Sequence, residues 1–165
     1  MMDRQNGFTL IELMVAIAVF AIAASIALPS FQRVIEENRV STQTNTLISA
    51  FNLARSEAVK RGTTVGVTAT GAGFAEGWCV HLEPGGCVAA NMIRSYMPPD
   101  AISFNQTHTQ VVFDGRGTRS LPVAGAGTVE IDLQADACTA GDTNRRRQVE
   151  VGLTGRTGLR LENCQ

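Results

Sequence analysis

The sequence carries no excess of charge of either sign: 14 Lys and Arg stand against 15 Asp and Glu, for a formal net charge of -1. A chain so balanced offers no global reason to bind nucleic acid or an anionic membrane, so any such partner must be met by a local patch. It has four cysteines, none in a C-x-x-C pair, and two histidines, His81 and His108, far apart in sequence. That spacing argues against a zinc site. Beside Cys79 and Trp78, His81 reads as a strand residue. Also missing are G-x-S-x-G, H-E-x-x-H and a phosphate loop, and Gly115-Arg116-Gly117 lacks the strand-to-helix setting of a nucleotide site. No catalytic constellation, cofactor or metal is expected, and the chain reads as a non-enzyme.

What is present begins with "NGFTLIELMVAIAVF" from Asn6. Positions 8–28 are apolar except for Thr9, Glu12 and Ser25, and this length matches the roughly 20 residues that span a bilayer as helix. A cleaved secretory signal would use the small-x-small site Ala21-Ile22-Ala23, but an acid inside its short apolar core would be out of place. In a permanent anchor, an acid deep in the bilayer costs roughly 2.5 to 3.5 kcal/mol and marks function. Glu12 therefore needs a cationic partner. A cut between Gly7 and Phe8 supplies one, an α-amino group one helical turn from Glu12 and open to the Glu12 of a neighbouring chain.

The rest divides by period. Pro29 removes a helical hydrogen bond and reads as a bend, after which Val40, Thr44, Leu47, Phe51, Ala54 and Ala58 form one apolar stripe at spacings of four and three. Gly62, after Lys60-Arg61, is the expected stop. A helix from Phe8 to Arg61 would be roughly 80 Å long, too long for a compact domain, so half of it is expected to project. Beyond Gly62 the period falls to two, and 63–70, 78–82, 92–97, 110–113, 128–134, 148–153 and 156–162 read as short antiparallel strands. The expected class is α+β, with a helical spine on a head of antiparallel sheets. The expected segments are 1–7 (polar start, ahead of the cut), 8–29 (membrane-spanning helix), 30–62 (amphipathic helix) and 63–165 (head).

Behind an export-like front end the cysteines read as disulfides. Of three pairings, the separations favour Cys79 with Cys87, around Pro84-Gly85-Gly86, and Cys138 with Cys164, tying down the last strand. In the last hairpin, a three-residue loop Leu153-Thr154-Gly155 pairs Val149 with Leu159 and keeps the apolar residues on one face, with Gly155 in the left-handed conformation. Arg156 and Arg160 then share the solvent face with Gln148. Arg145, Arg146, Arg147, Arg156 and Arg160 make the tail from Ala137 to Gln165 locally basic, five cations to three acids. The plain reading is a solvated loop and strand face beside Glu150 and Glu162. The functional alternative is binding of nucleic-acid phosphates without sequence preference.

The string Gly7-Phe8-Thr9-Leu10-Ile11-Glu12-Leu13, after a short polar start containing Arg4, resembles the class III signal of type IV pilins and type II secretion pseudopilins. "LARSEAVKRG" (53–62), "VVFDGRGTRS" (111–120) and "RRRQVEVGLTGRTGLRLENC" (145–164) resemble landmarks of the GspH/FimT group of minor pilins and pseudopilins, whose head is a pair of packed sheets against the helix. The resemblance implies that a prepilin peptidase cuts after Gly7 and methylates Phe8, and that Glu12 guides docking into a filament growing from the inner membrane. It also implies major and minor pilins and an inner-membrane assembly platform as partners, with the head first in the periplasm and then on a pilus at the cell surface. Some members implicated in DNA uptake carry Gly-Arg-x-Arg near the C-terminus. Here Gly155-Arg156-Thr157 is followed by Gly158, with the second arginine displaced to Arg160.

Overall fold

The computed structural model describes residues 8–123, 125 and 127–165. Gly7, on one side of the expected cut, lies outside the described residues, as does Arg4. Helix α1 (Leu10–Arg61) continues through Pro29 without interruption. It ends at Gly62, whose φ of 64° lets the Thr63 amide donate back to the Ala58 carbonyl at 3.3 Å. This six-to-one bond closes a Schellman end, with Lys60 and Arg61 near the carbonyl terminus of the helix dipole.

Two compact units meet within this helix, one ending at Glu36 and the other running Glu37–Gln165. Among the described residues, the first has no core. Its helix is apolar all round and almost wholly exposed, with Phe8 at 81%, Phe20 at 73% and Phe31 at 65%. Such a helix is covered only by lipid or by other helices.

The second unit contains the rest of α1 and nine strands: β1 (Val65–Ala69), β2 (Trp78–Leu82), β3 (Met92–Tyr96), β4 (Ile102–Gln106), β5 (Gln110–Phe113), β6 (Arg119–Leu121), β7 (Val129–Ala135), β8 (Arg146–Val151) and β9 (Thr157–Glu162). They form two antiparallel sheets, ordered β3-β2-β1-β5-β6 and β4-β7-β8-β9. Sequence periodicity anticipates seven of these strands and misses two. β4 alternates Ile102 and Phe104 with polar residues behind Pro98-Pro99, and β6 has three residues with an arginine at its buried position.

All six residues of the helical stripe are buried, Thr44 by returning its hydroxyl to the Val40 carbonyl at 2.7 Å. They pack on alternate residues of both sheets, such as Val67, Val111 and Phe113 from one and Ile131, Leu133 and Val149 from the other. Trp78 joins the layers, stacked on Tyr96 at 5.7 Å and tilted against Phe104 of the second sheet at 6.0 Å. Every core residue lies between Val40 and Val151, so the unit from Glu37 carries its whole core and can fold by itself. Disulfides join Cys79 to Cys87 and Cys138 to Cys164. The last hairpin has the register Val149 to Leu159 and Gln148 to Arg160, with Gly155 at φ 73°. Leu159 and Leu161 nevertheless stay 43% and 52% exposed, because β9 is the outermost strand of its sheet.

Candidate functional site

At the start of α1, Thr9 and Glu12 form a capping box. The Thr9 amide and hydroxyl donate to Glu12 Oε2 at 3.3 and 3.2 Å, and the Glu12 amide donates to Thr9 Oγ1 at 3.3 Å. Sequence reasoning missed this, although Thr-x-x-Glu before an apolar run is the signature of such a cap. The box orients the carboxylate and leaves Oε1 without a partner among the described residues. An exposed acid with one oxygen spare, in a helix with no core of its own, can accept a cation from another chain.

The basic tail is not one patch. Arg146 is buried, with Nη1 at 3.1 Å from Asp132 and Nη2 at 3.9 Å from Glu162. Arg145 meets Asp142 at 2.6 Å and Glu37 at 3.4 Å, and Arg160 meets Glu150 at 2.9 Å. The arginine holds Asp142 below the usual carboxylate range. Arg147, paired with Leu161, lies on the opposite face from Arg146, because neighbours on a strand point opposite ways. Arg156 and Arg160 are both exposed, but Glu130, Glu150 and Asp132 share the face of Arg160 by register.

His81 is buried, with Nε2 at 2.8 Å from the Thr68 hydroxyl and Nδ1 at 3.2 Å from the Leu82 carbonyl. A carbonyl only accepts, so Nδ1 donates to Leu82, and Nε2 also lies 3.7 Å from Glu83 Oε1. Both nitrogens are committed to structure.

The structure instead brings the three sequence landmarks together at the carboxyl end of α1. Arg55 Nε donates to the Gly117 carbonyl at 2.9 Å. A Cβ on Gly117 would sit 3.0 Å from Val59, one on Gly115 would sit 2.9 Å from the Gly62 backbone, and one on Gly155 would strike the Gly117 carbonyl oxygen. Gly115 and Gly155 let backbones touch, and Gly117 lets the Val59 and Arg55 side chains of α1 lie against the turn. Asp114 shapes the turn, accepting the Thr118 amide at 2.9 Å, the Thr118 hydroxyl at 2.8 Å and the Arg116 amide at 3.0 Å. Those bonds, led by that from the Thr118 backbone, lower its pKa to about 2. Arg119, buried, donates Nη1 to the Val151 carbonyl at 3.0 Å and Nη2 to that of Gly127, clamping one sheet to the other. Burial lowers its pKa.

A family model described as type II transport protein GspH matches residues 43–155, the stretch that holds these landmarks. The chain belongs to the GspH family. Within this GspH-family chain, a prokaryotic N-terminal methylation motif matches residues 2–28. A fimbrial protein of Pseudomonas aeruginosa is 38% identical over 69 residues, 42% of this chain and 44% of that one. A fimbrial protein of Moraxella nonliquefaciens is 55% identical over 40 residues, 24% and 26% of the two chains. The chain thus spans less than half the length of these curated relatives. Among solved structures, the type IV minor pilin FimU of Pseudomonas aeruginosa superimposes with a TM-score of 0.62 at 19% identity, covering 76% of this chain and 90% of that one. The minor pseudopilin EpsH from the type 2 secretion system of Vibrio cholerae gives 0.53 at 9% identity, covering 74% and 97%. At such identities the likeness establishes the fold, a long N-terminal helix followed by antiparallel sheets. The chain is thus a GspH-family protein with the fold that FimU and EpsH share, and the two curated relatives above are described as fimbrial proteins.

Proposed function

We propose that the chain is a minor type IV pilin, a low-copy subunit that helps start pilus assembly near the filament tip. In this reading 1–7 is a leader removed by prepilin peptidase, Phe8 is methylated, 8–29 anchors the protein in the inner membrane and then lines the filament core, and 30–62 carries the head into the periplasm. An inner-membrane platform then builds it, with major and minor pilins, into a pilus at the cell surface. The observation that carries the reading is Glu12: an exposed carboxylate with, among the described residues, an oxygen that has no partner, at the start of a helix exposed on all sides. Identity to fimbrial proteins over part of the chain supports the pilus. The second reading, an H-type pseudopilin of a type II secretion system, is favoured by the family description and by the fold shared with EpsH. Deleting the gene separates them by which is lost, pili or secretion.

Processing tests both readings. Gly7→Val is expected to leave an uncut, longer chain, since a branched side chain replaces the residue before the cut. Mass spectrometry of the wild-type protein should find methylated Phe8 at its start. A start at Ala24 would mean an ordinary secretory signal and overturn both.

A further inference from the structure

Four strands stand at sheet edges, β3 and β6 in one sheet and β4 and β9 in the other. An open edge pairs with whatever strand is offered, and proteins blunt it with bulges, prolines, charge, brevity or cover. β3 slips register against β2 between Val80 and His81 and runs into Pro98-Pro99. β6 has three residues, slips against β5 between Val112 and Phe113, and is followed by Pro122. The Gln106 side chain of β4 lies against Gly73, just before the 3-10 turn Phe74–Glu76. β9 does carry charge, Arg160 and Glu162, but by alternation on the face opposite its leucines; its six residues contain no proline and pair with β8 in unbroken register.

The Gly152 amide closes the hairpin on the Arg156 carbonyl at 3.0 Å. From there, ladder alternation turns the backbone groups of Gly158, Arg160 and Glu162 toward β8 and those of Thr157, Leu159 and Leu161 outward. The same alternation puts the Leu159 and Leu161 side chains on the face of Val149, half exposed where Val149 is fully buried. Open backbone and apolar side chains therefore belong to the same residues. The edge is also held at both ends, by Gly155 packed on Gly117 and by the Cys138–Cys164 bridge, so little ordering is left for a partner to impose.

We infer that β9 is the docking edge for an extended strand of a neighbouring pilin, apolar at every second residue and bearing a carboxylate at each end. The main-chain bonds give affinity and the two leucines select the alternation. The carboxylates follow from charge. Arg147, across from Leu161, and Arg156, at the start of β9, make no ion pair among the described residues, whereas Arg160 is held by Glu150. The inference rests on the assembly reading, because it makes the partner another pilin.

The test uses the purified head, residues 37–165, and a short synthetic peptide of alternating valine and threonine with an aspartate at each end. Amide exchange followed by NMR should show Leu159 and Leu161 unprotected in the free head and protected on adding the peptide. Leu159→Pro removes an outward donor and no bond to β8, so it should weaken the peptide about tenfold, one hydrogen bond and one apolar contact together. Leu159→Lys, which leaves the backbone intact, should weaken it too. Reversing Arg147 and Arg156 to Glu should shift preference to a peptide ending in lysines. In cells, full-length Leu159→Pro should be inserted and processed normally but co-purify with fewer pilins. Amides protected in the free head, peptide binding elsewhere, or unchanged co-purification would overturn the proposal. Protection that rises with head concentration alone would do so in favour of a homodimer. If the wild-type chain recovers no pilins, the assembly reading fails while the peptide result on β9 stands.

Discussion

The segment before Glu37 and the head after it solve opposite problems with the same kinds of apolar side chain. In the head, Leu47, Phe51 and Ala54 disappear beneath two sheets, and stability is internal. In the segment, Leu10, Phe20 and Phe31 are as greasy and bury nothing, so their favourable burial must come from outside the chain. A charge also means different things in the two regions. Arg119 is tolerated inside the head because two carbonyls meet it, whereas Glu12 has its Thr9 cap and, among the described residues, an oxygen with no partner. The difference teaches that the head is built to be stable alone and the segment to be stable only in company.

Glu12→Ala should break that comparison most strongly. It removes the proposed acceptor for a neighbouring amine and takes a charge out of the apolar run, so membrane insertion and leader cleavage should proceed. Recruitment into filaments, measured by immunoblot of sheared pili, should fall to near background, while the unfolding midpoint of the head stays put. Normal recruitment would mean that Glu12 serves only as a helix cap.

Gly155→Ala is the opposite experiment, on the head. The residue sits at φ 73°, and its new Cβ would strike the Gly117 carbonyl, so about 2 kcal/mol of stability should be lost. Denaturant unfolding of residues 37–165 would read this loss, and leader cleavage should be untouched. A neutral result would show that the hairpin tip is not held against Gly117.

How much of this was legible in the sequence depends on the range over which each signal acts. The helical stripe and the pairing of Val149 with Leu159 are periodic and local, and both are present as read. The strand β6 escaped because Arg119 occupies an inward position, and what makes burial tolerable there, the Val151 and Gly127 carbonyls, is contributed from elsewhere in the chain. Nearness in sequence does not make the arginine run one patch: alternation turns Arg146 and Arg147 to opposite faces, and Asp132 waits on a different strand. The glycines of the landmarks were visible as a pattern, but their reason, close approach of backbone to backbone or to the side chains of α1, appears only in three dimensions.

A smaller effect separates the regions by pH. The Asp114 carboxyl is held at about 2, below its ordinary 3.8, by the Thr118 and Arg116 bonds. A depressed carboxylate contributes stability above its unfolded pKa and loses it as pH falls through the folded one, so head stability should decline between about pH 4 and pH 2. Asp142 and Glu57, lowered by Arg145 and Arg61, titrate in the same direction. The comparison that isolates Asp114 is therefore wild type against Asp114→Asn, whose slope in that window should be shallower. Identical slopes would show that the turn does not depend on the charge.

The smallest effect is expected where the sequence looked most suggestive. If the tail bound nucleic-acid phosphates, the purified head should bind unrelated duplexes alike, and affinity should fall by roughly 0.9 log unit per log unit of salt for each phosphate neutralised. Replacing Arg156 and Arg160 together would then lower both affinity and slope. Against this, Arg146 is spent on Asp132, Arg160 is spent on Glu150, and the face of Arg160 carries Glu130 and Asp132 besides. Each of those acids repels a phosphate at the distance where an arginine would attract it. Fluorescence anisotropy at physiological salt should accordingly find weak binding that the double replacement hardly changes, with head stability intact. Tight, salt-sensitive binding that vanishes in the double variant would reverse the assignment and make DNA uptake, rather than assembly alone, a task of the head.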